Sequence, residues 1–281
     1  MKQLGQSRRQ CLFCDRTDLT KEHAFPKWAR AFIRNEFPKR VHSFDSIAFD
    51  VLDRRMTSSI HRTNRPGDPR FSGIRAVCRT CNGGWMSRLQ QRVKPMIVGL
   101  NHDERYQLSA EDRQTLSRWA AVTATTFEHR HAHLTCSTKE SRSKLRTPDP
   151  VSADWSVWIA RYEGDRWASF NHFGGPLTLV HRVTGTMHPI PGLGVQSTAW
   201  VLAGLYFQAV YSTLHRTALP PGREAAASYE MRKTTMRAKV LWPSDDSPMV
   251  VDGPVFSDIE ADDESRRALG VTLGQSRRAW E

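Results

Sequence analysis

Hydrophobic and polar positions in the first hundred residues predict two helices separated by strands and a loop. Apolar side chains recur at helical spacing after Pro26, which predicts a helix over residues 26–37. Residues 85–98 repeat that spacing and predict a helix ending near Gly99. Between them, loose alternation over residues 41–56 predicts one or two strands, and the apolar run at 74–77 predicts a short strand. The intervening stretch 57–72 is polar and rich in Arg, Pro and Gly, which predicts a loop.

The second half begins with a helix and then changes to a period of two. Ser109 and Asp112 form a capping-box pattern ahead of an apolar face, which predicts a helix at 110–128 (Leu116, Trp119, Ala120, Thr123, Phe127). After a polar, basic linker at about 137–150, alternation predicts strands within 155–162, 167–173, 177–183, 199–211 and 236–242. The tail from Asp245 is acidic and is expected to be a loop.

These elements predict the α+β class with two domains. Residues 1–105 form an N-terminal module that carries a long insertion at about 26–72. Residues 106–281 form an antiparallel sheet packed with the helix at 110–128, and nothing in their pattern assigns them a function. The longest apolar run, at 199–210, is too short to span a bilayer, and the polar start lacks the apolar core of a secretion signal. We therefore expect a cytoplasmic protein.

The excess of positive over negative charge lies in the N-terminal module. The net charge of the chain is +12; residues 1–100 hold 20 Lys and Arg against 8 Asp and Glu, whereas residues 101–281 hold 21 of each. A basic field on one module indicates a polyanionic partner. Five arginines in the insertion are the best candidates for contacts to backbone phosphates (Arg54, Arg55, Arg62, Arg65, Arg70).

Two CxxC pairs lie in the same basic module: Cys11 with Cys14, and Cys78 with Cys81. In a reducing compartment this spacing indicates a metal site rather than disulfides, and four thiolates are typical of structural Zn²⁺. One ion bound by both pairs would hold two distant segments side by side. Glu22 and His23 follow the first pair and Asn82 follows the second, so these three polar side chains would be brought within reach of one another.

The three side chains match the needs of phosphodiester hydrolysis. A base must deprotonate the attacking water, and a cation must neutralise charge on the phosphate and on the departing oxygen. A neutral histidine serves as a base near neutral pH, and Mg²⁺ or Mn²⁺ prefers oxygen ligands such as those of Glu22 and Asn82. Neighbouring residues of an extended segment point in opposite directions, so His23 and Glu22 reach one site only if the backbone turns there.

Over roughly residues 8–100 the chain resembles the HNH endonuclease superfamily, in its zinc-knuckle branch with a ββα-metal core. The elements that carry the resemblance are the two CxxC pairs, Glu22-His23 followed by Pro26, and Asn82 directly after the second pair. The resemblance implies His23 as general base, Glu22 and Asn82 as ligands of the catalytic cation, and structural zinc on the cysteines. The helix after the second pair would be the α of ββα. The middle Asn of the family motif has no evident counterpart, and Asn64 is the nearest candidate.

We therefore predict a metal-dependent endonuclease that hydrolyses DNA, most readily as a duplex, and double-strand cutting by one site per chain would favour a homodimer. One alternative is a non-catalytic zinc-ribbon protein that only binds nucleic acid, with His23 on its surface. Another is that the C-terminal domain holds the main activity.

Three further groups of residues have simpler structural explanations. Alternating histidines follow the helix at 110–128, and a solvated helix end explains them better than a metal site (His129, His131, His133). Cys136 has no partner at a useful spacing and is expected as a small buried side chain. Three tryptophans at strand spacing are expected in the core rather than stacked on bases (Trp155, Trp158, Trp167).

Overall fold

The computed structural model describes residues 10–23, 25–32, 43–50, 55–62, 73–129, 135–165, 170–180, 187–213, 236–243 and 247–272. The chain has mixed α+β architecture in which the large sheet is almost entirely antiparallel. None of the helices in this described part is long and apolar enough to cross a membrane.

Two antiparallel strand pairs form the N-terminal part. The first joins β1, Leu19–His23, to β4, Gly73–Cys78, and the second joins β2, Ser43–Asp50, to β3, Arg55–Arg62. Strands are confirmed at 43–50 and 74–77, but the loop expected at 57–72 is wrong for 57–62, which belong to β3. Those polar residues extend because each pairs with a residue of β2. A 3₁₀ helix, Lys27–Phe32, occupies part of the helix expected at 26–37, whose last five residues lie outside the described ranges.

The helix after β4 begins six residues earlier than expected. A single turn, α1, spans Arg79–Cys81, a π-helical turn spans Asn82–Met86, and α2 spans Ser87–His102. The Cys78 side chain caps the first turn by accepting the amide of Cys81. Gly84 has φ −96° and ψ −109°, so the axis is kinked between the cap and α2.

The second half is built on the five-strand path β10-β6-β9-β8-β7, with β12 added parallel to β6. Its strands are β6 Trp155–Tyr162, β7 Phe170–Val180, β8 Met187–Leu202, β9 Leu205–Ser212, β10 Lys239–Trp242 and β12 Val255–Phe256. Two-residue strands β5 Gln107–Leu108 and β11 Met249–Val250 pair separately. The single strand expected at 199–211 is wrong: it is the β8–β9 hairpin, which turns at Ala203 and Gly204 with φ of 52° and 68°. Positive φ at both central residues is the signature of a type I′ turn.

Three helices lie in the described residues of this half. The capping box is confirmed, and α3 spans Ala110–Glu128. The linker expected at 137–150 contains a short helix, α4 Lys139–Lys144, which starts because the Thr138 hydroxyl accepts the amide of Ser141. The tail is not a loop, since α5 spans Asp258–Thr272. Its acidic first turn suits a helix N-terminus, where the helix dipole favours negative charge.

Two apolar cores lie on opposite faces of the large sheet. On one face α3 packs with Trp119 edge-on to Trp200 and Phe207 at centroid distances of 5.9 and 5.4 Å. This core continues without a break to the cysteine segments and includes Phe13. The opposite face packs against α5, with Tyr206 and Phe256 among its buried members. The division into domains at residue 105 remains a prediction.

Candidate metal centre and adjoining cleft

The four cysteines of the CxxC pairs converge on one point. Their sulfur atoms all lie within 4.8 Å of one another. The Sγ of Cys14 lies 3.6 Å from that of Cys78 and 3.7 Å from that of Cys81. A tetrahedral ion with metal–sulfur bonds of about 2.3 Å separates its sulfur ligands by about 3.8 Å, and a disulfide would need about 2.05 Å. All four cysteines are free thiols, so they are positioned to bind a metal ion.

Backbone pairing brings the two cysteine segments together. Leu19 of β1 is the partner of Cys78 in β4, and the amide of Leu12 donates to the carbonyl of Ala76. The ring of Phe13 meets Trp85 edge-on at 5.1 Å, which joins the first turn to the helix that follows the second pair. Two separate kinds of contact, sheet pairing and aromatic packing, therefore position the sulfur atoms.

Burial makes the cysteine cluster unfavourable as bare thiolates. Cys11, Cys78 and Cys81 are at most 5% exposed. Desolvation raises the pKa of the Cys81 thiol far above its ordinary value, and it also raises the pKa of Cys11. A divalent cation would compensate the negative charge that thiolate ligands bring into this buried site, and its binding would then be coupled to folding.

The first cysteine turn also contacts the C-terminal half. From α4, the guanidinium of Arg142 donates to the Leu12 carbonyl at 3.0 Å, and Arg146 donates to the Phe13 carbonyl at 3.4 Å. Lys139 forms an ion pair with Asp15. The basic residues expected in a linker thus bind backbone oxygens of the metal-site turn.

Glu22 and His23 both line a cleft beside the metal centre. The cleft is also lined by Gln90 of α2 and by residues of α3 (Trp119, Thr126, Phe127). Glu22 is buried, with 6% of its surface exposed, and its Oε1 accepts one hydrogen bond of 3.3 Å from Gln90 Nε2. His23 ends β1, and a strand end is where neighbouring side chains can both reach one cleft.

The pKa of the Glu22 carboxyl is unusually high. Burial raises its pKa to about 7, and the hydrogen bond from Gln90 offsets this only in part. A carboxylate in an apolar cleft is disfavoured relative to its protonated form, and no cation is paired with Glu22 among the described residues. Burial therefore favours the protonated form of Glu22 near neutral pH.

Asn82 contacts the same strand but not the same residue. Its Nδ2 donates to Thr20 Oγ1 at 3.0 Å, and Thr20 in turn donates to the Val77 carbonyl at 3.0 Å. Thr20 precedes Glu22 by two residues, or about 7 Å of extended chain. The cysteine cluster therefore brings Asn82 to β1, while the residue that meets Glu22 directly is Gln90.

Several contributors to this site are absent from the sequence-based set. Gln90 and Thr20 carry no motif that would single them out. Their contacts become apparent only because the helix after β4 runs along β1, with Asn82 meeting Thr20 and Gln90 meeting Glu22. The α3 wall comes from the other half of the sequence. Its only signal was the apolar face of the helix at 110–128.

The arginines proposed for phosphate contacts are only partly described. Arg55 and Arg62 are the two ends of β3, paired with Asp50 and Ser43. Arg54, Arg65 and Arg70 lie outside the described ranges, as does Asn64.

The simpler structural explanations hold for three of the other seven residues and fail for one, and the remaining three are not described. Cys136, Trp155 and Trp158 are buried in the core as expected, and Trp167 lies outside the described ranges. His129 is not a solvated helix end: burial lowers its pKa, and its Nδ1 lies 2.8 Å from the Thr125 carbonyl. The other two histidines, His131 and His133, are not in the described part.

Comparison with known proteins provides no identification. No protein-family model, curated protein or solved structure matches this chain.

Proposed function

We propose that the protein is a metal-dependent endonuclease that hydrolyses DNA phosphodiester bonds. The observation that carries the proposal is the convergence of the four cysteines, which joins β1, bearing Glu22 and His23, to the helix that begins beside Asn82. Two antiparallel strands followed by a helix, next to a cysteine cluster, match the arrangement expected from the resemblance to HNH endonucleases. The excess positive charge of residues 1–100 agrees with a polyanionic substrate.

The proposal gives each group a chemical task. Zn²⁺ on the four cysteines has a structural role. Glu22, with Asn82, would hold Mg²⁺ or Mn²⁺, which when bound would neutralise charge on the phosphate and on the departing oxygen. His23 in its neutral form takes the proton of the attacking water at a ring nitrogen. The buried Glu22 carboxyl, with its raised pKa, supports the first ligand, and the role of Asn82 stays a prediction.

A non-catalytic nucleic-acid-binding role is the second candidate. It is favoured by the position of Asn82, whose amide contacts Thr20 rather than Glu22. The two candidates make opposite predictions for a His23→Ala variant. A nuclease loses cleavage and keeps DNA affinity, whereas a binding protein has no cleavage to lose.

The test is cleavage of supercoiled plasmid with Mg²⁺ or Mn²⁺, with zinc content and thermal stability measured on every sample. His23→Ala is compared with His102→Ala, which removes an exposed imidazole at the end of α2. We expect nicked or linear DNA from the wild type and the His102→Ala control, and none from His23→Ala. Equal cleavage by both variants would reject His23 as the base. Tight, salt-sensitive binding without cleavage by the wild type would favour the second candidate.

A further inference from the structure

Two cations face each other on the exposed side of the β1–β4 pair. Lys21 and Arg75 are direct cross-strand partners, and both side chains are exposed. Neither forms an ion pair with a carboxylate in the part of the chain that the structure describes. Like charges directly opposite each other destabilise a strand pair, so folding gives no reason for this arrangement. An anionic ligand would turn the repulsion into a binding site.

The Lys21 side chain is directed along the sheet towards His23. Its alkyl chain crosses Gly73, the residue that pairs with His23. A Cβ at position 73 would lie only 2.5 Å from Lys21 Cε and 2.6 Å from its Cγ, so the lysine occupies space that only glycine leaves open. This contact places the Lys21 chain over the cross-strand partner of His23.

The neighbouring charges of the pair also indicate an anion site. Asp18, the acidic residue that precedes β1, is already paired with Arg16 at 3.1 Å, and no described carboxylate is paired with Lys21 or Arg75. An ammonium and a guanidinium side by side are the groups that bind phosphate oxygens in proteins.

We propose that Lys21 and Arg75 bind the DNA phosphate backbone beside His23, with Gly73 leaving room for the lysine chain. This inference rests on the proposed function for the identity of the anion. Lys21 lies on the strand that carries Glu22 and His23, and Arg75 is its partner on β4, so the proposal puts these phosphate contacts next to the reacting phosphate. The insertion arginines are not needed for these contacts.

Lys21→Met tests the proposal because methionine keeps much of the alkyl packing on Gly73 and removes the charge. The matched control is Lys239→Met in the large sheet. A Cβ at Gly253 would lie 3.6 Å from Lys239 Cε, so this lysine also runs past a glycine, but it is already paired with Asp252. Binding of a short labelled DNA duplex is measured in a His23→Ala background across a range of salt concentrations. Binding therefore reports on the pair even if the protein does not cleave DNA.

We expect Lys21→Met to weaken binding at low salt and to reduce the salt slope by about 0.9, the loss of one phosphate contact. Arg75→Met has the same effect, Lys21→Arg restores binding, and Lys239→Met leaves the slope unchanged. Where the wild type cleaves, Lys21→Met lowers kcat/KM about tenfold, mainly through a higher KM.

An unchanged salt slope in both Lys21→Met and Arg75→Met would overturn the proposal. It would also be overturned if binding fell only in proportion to the loss of bound zinc or of folded protein. The lysine would then act by stabilising the β1–β4 pair rather than by contacting phosphate. If the wild type fails to cleave but the slope responds as expected, the phosphate site stands and only the endonuclease proposal fails.

Discussion

Replacing Glu22 with glutamine removes a buried carboxyl whose ionisation opposes folding. Its pKa is about 7 in the folded chain, against an ordinary value of 4.5. Between these values the folded state holds a proton that the unfolded state has released. Stability therefore falls as pH rises through this window, and the full cost is present above about pH 7. At 1.36 kcal/mol per pKa unit, the full cost is about 3 kcal/mol.

Glu22→Gln keeps the shape and can still accept the hydrogen bond from Gln90, so the comparison isolates the charge. We expect the variant to gain about 2 kcal/mol over the wild type between about pH 5.5 and about pH 8.5. The assay is urea unfolding of zinc-loaded protein without Mg²⁺ or Mn²⁺. Glu104→Gln, at an exposed position just beyond α2, controls for the loss of one negative charge. Parallel stability curves for Glu22→Gln and the wild type would refute the argument from burial.

Adding Mg²⁺ or Mn²⁺ turns the same experiment into a test of metal binding. A cation bound by the Glu22 carboxylate stabilises the folded state and does so most where the carboxyl is ionised. We expect the ion to raise the stability of the wild type above pH 7 and to leave Glu22→Gln unaffected. Equal stabilisation of both proteins would place the cation elsewhere.

Three further changes test the fold. Cys78→Ser, or removal of metal by a chelator, should lower Tm. Helix α3 should unfold together with the cysteine segments because one core joins them, so far-UV and near-UV circular dichroism should lose signal in a single transition. Trp119→Ala should lower the free energy of unfolding in urea by about 3 to 5 kcal/mol, because it removes the ring that packs against Trp200 and Phe207. Gly204→Ala should lower the free energy of unfolding by about 1 to 2 kcal/mol, because φ is +68° at this position. An unchanged midpoint of urea unfolding would contradict the type I′ turn.

Elements with a local cause could be predicted from the sequence. The capping box of Ser109 and Asp112 supplies its own hydrogen bonds, so α3 begins where the sequence indicates. The strands at 74–77 and 155–162 are rich in apolar residues, and both are largely buried in the structure. The CxxC spacing likewise identifies four cysteines that meet in space, because two-residue spacing lets both sulfurs of a pair reach one ion.

Elements that depend on a distant partner could not be predicted in this way. The polar residues of β3 extend only because β2 lies beside them. The helix α5 carries an acidic sequence that resembles a solvated tail, yet it covers the second face of the large sheet. Helix α4 was hidden in a basic linker, and its Arg142 contacts an oxygen of the first cysteine turn 130 residues away.

The sequence by itself therefore determined the types of chemical group at the candidate site: four thiols, a Glu-His pair and an asparagine. Tertiary structure decided how these groups are arranged. It buried Glu22 in a cleft walled by α3, brought Gln90 rather than Asn82 to its carboxyl, and set Lys21 opposite Arg75. Residue types follow from local spacing, but burial, pKa and side-chain partners depend on which distant segments pack together, and that packing is a property of the whole fold.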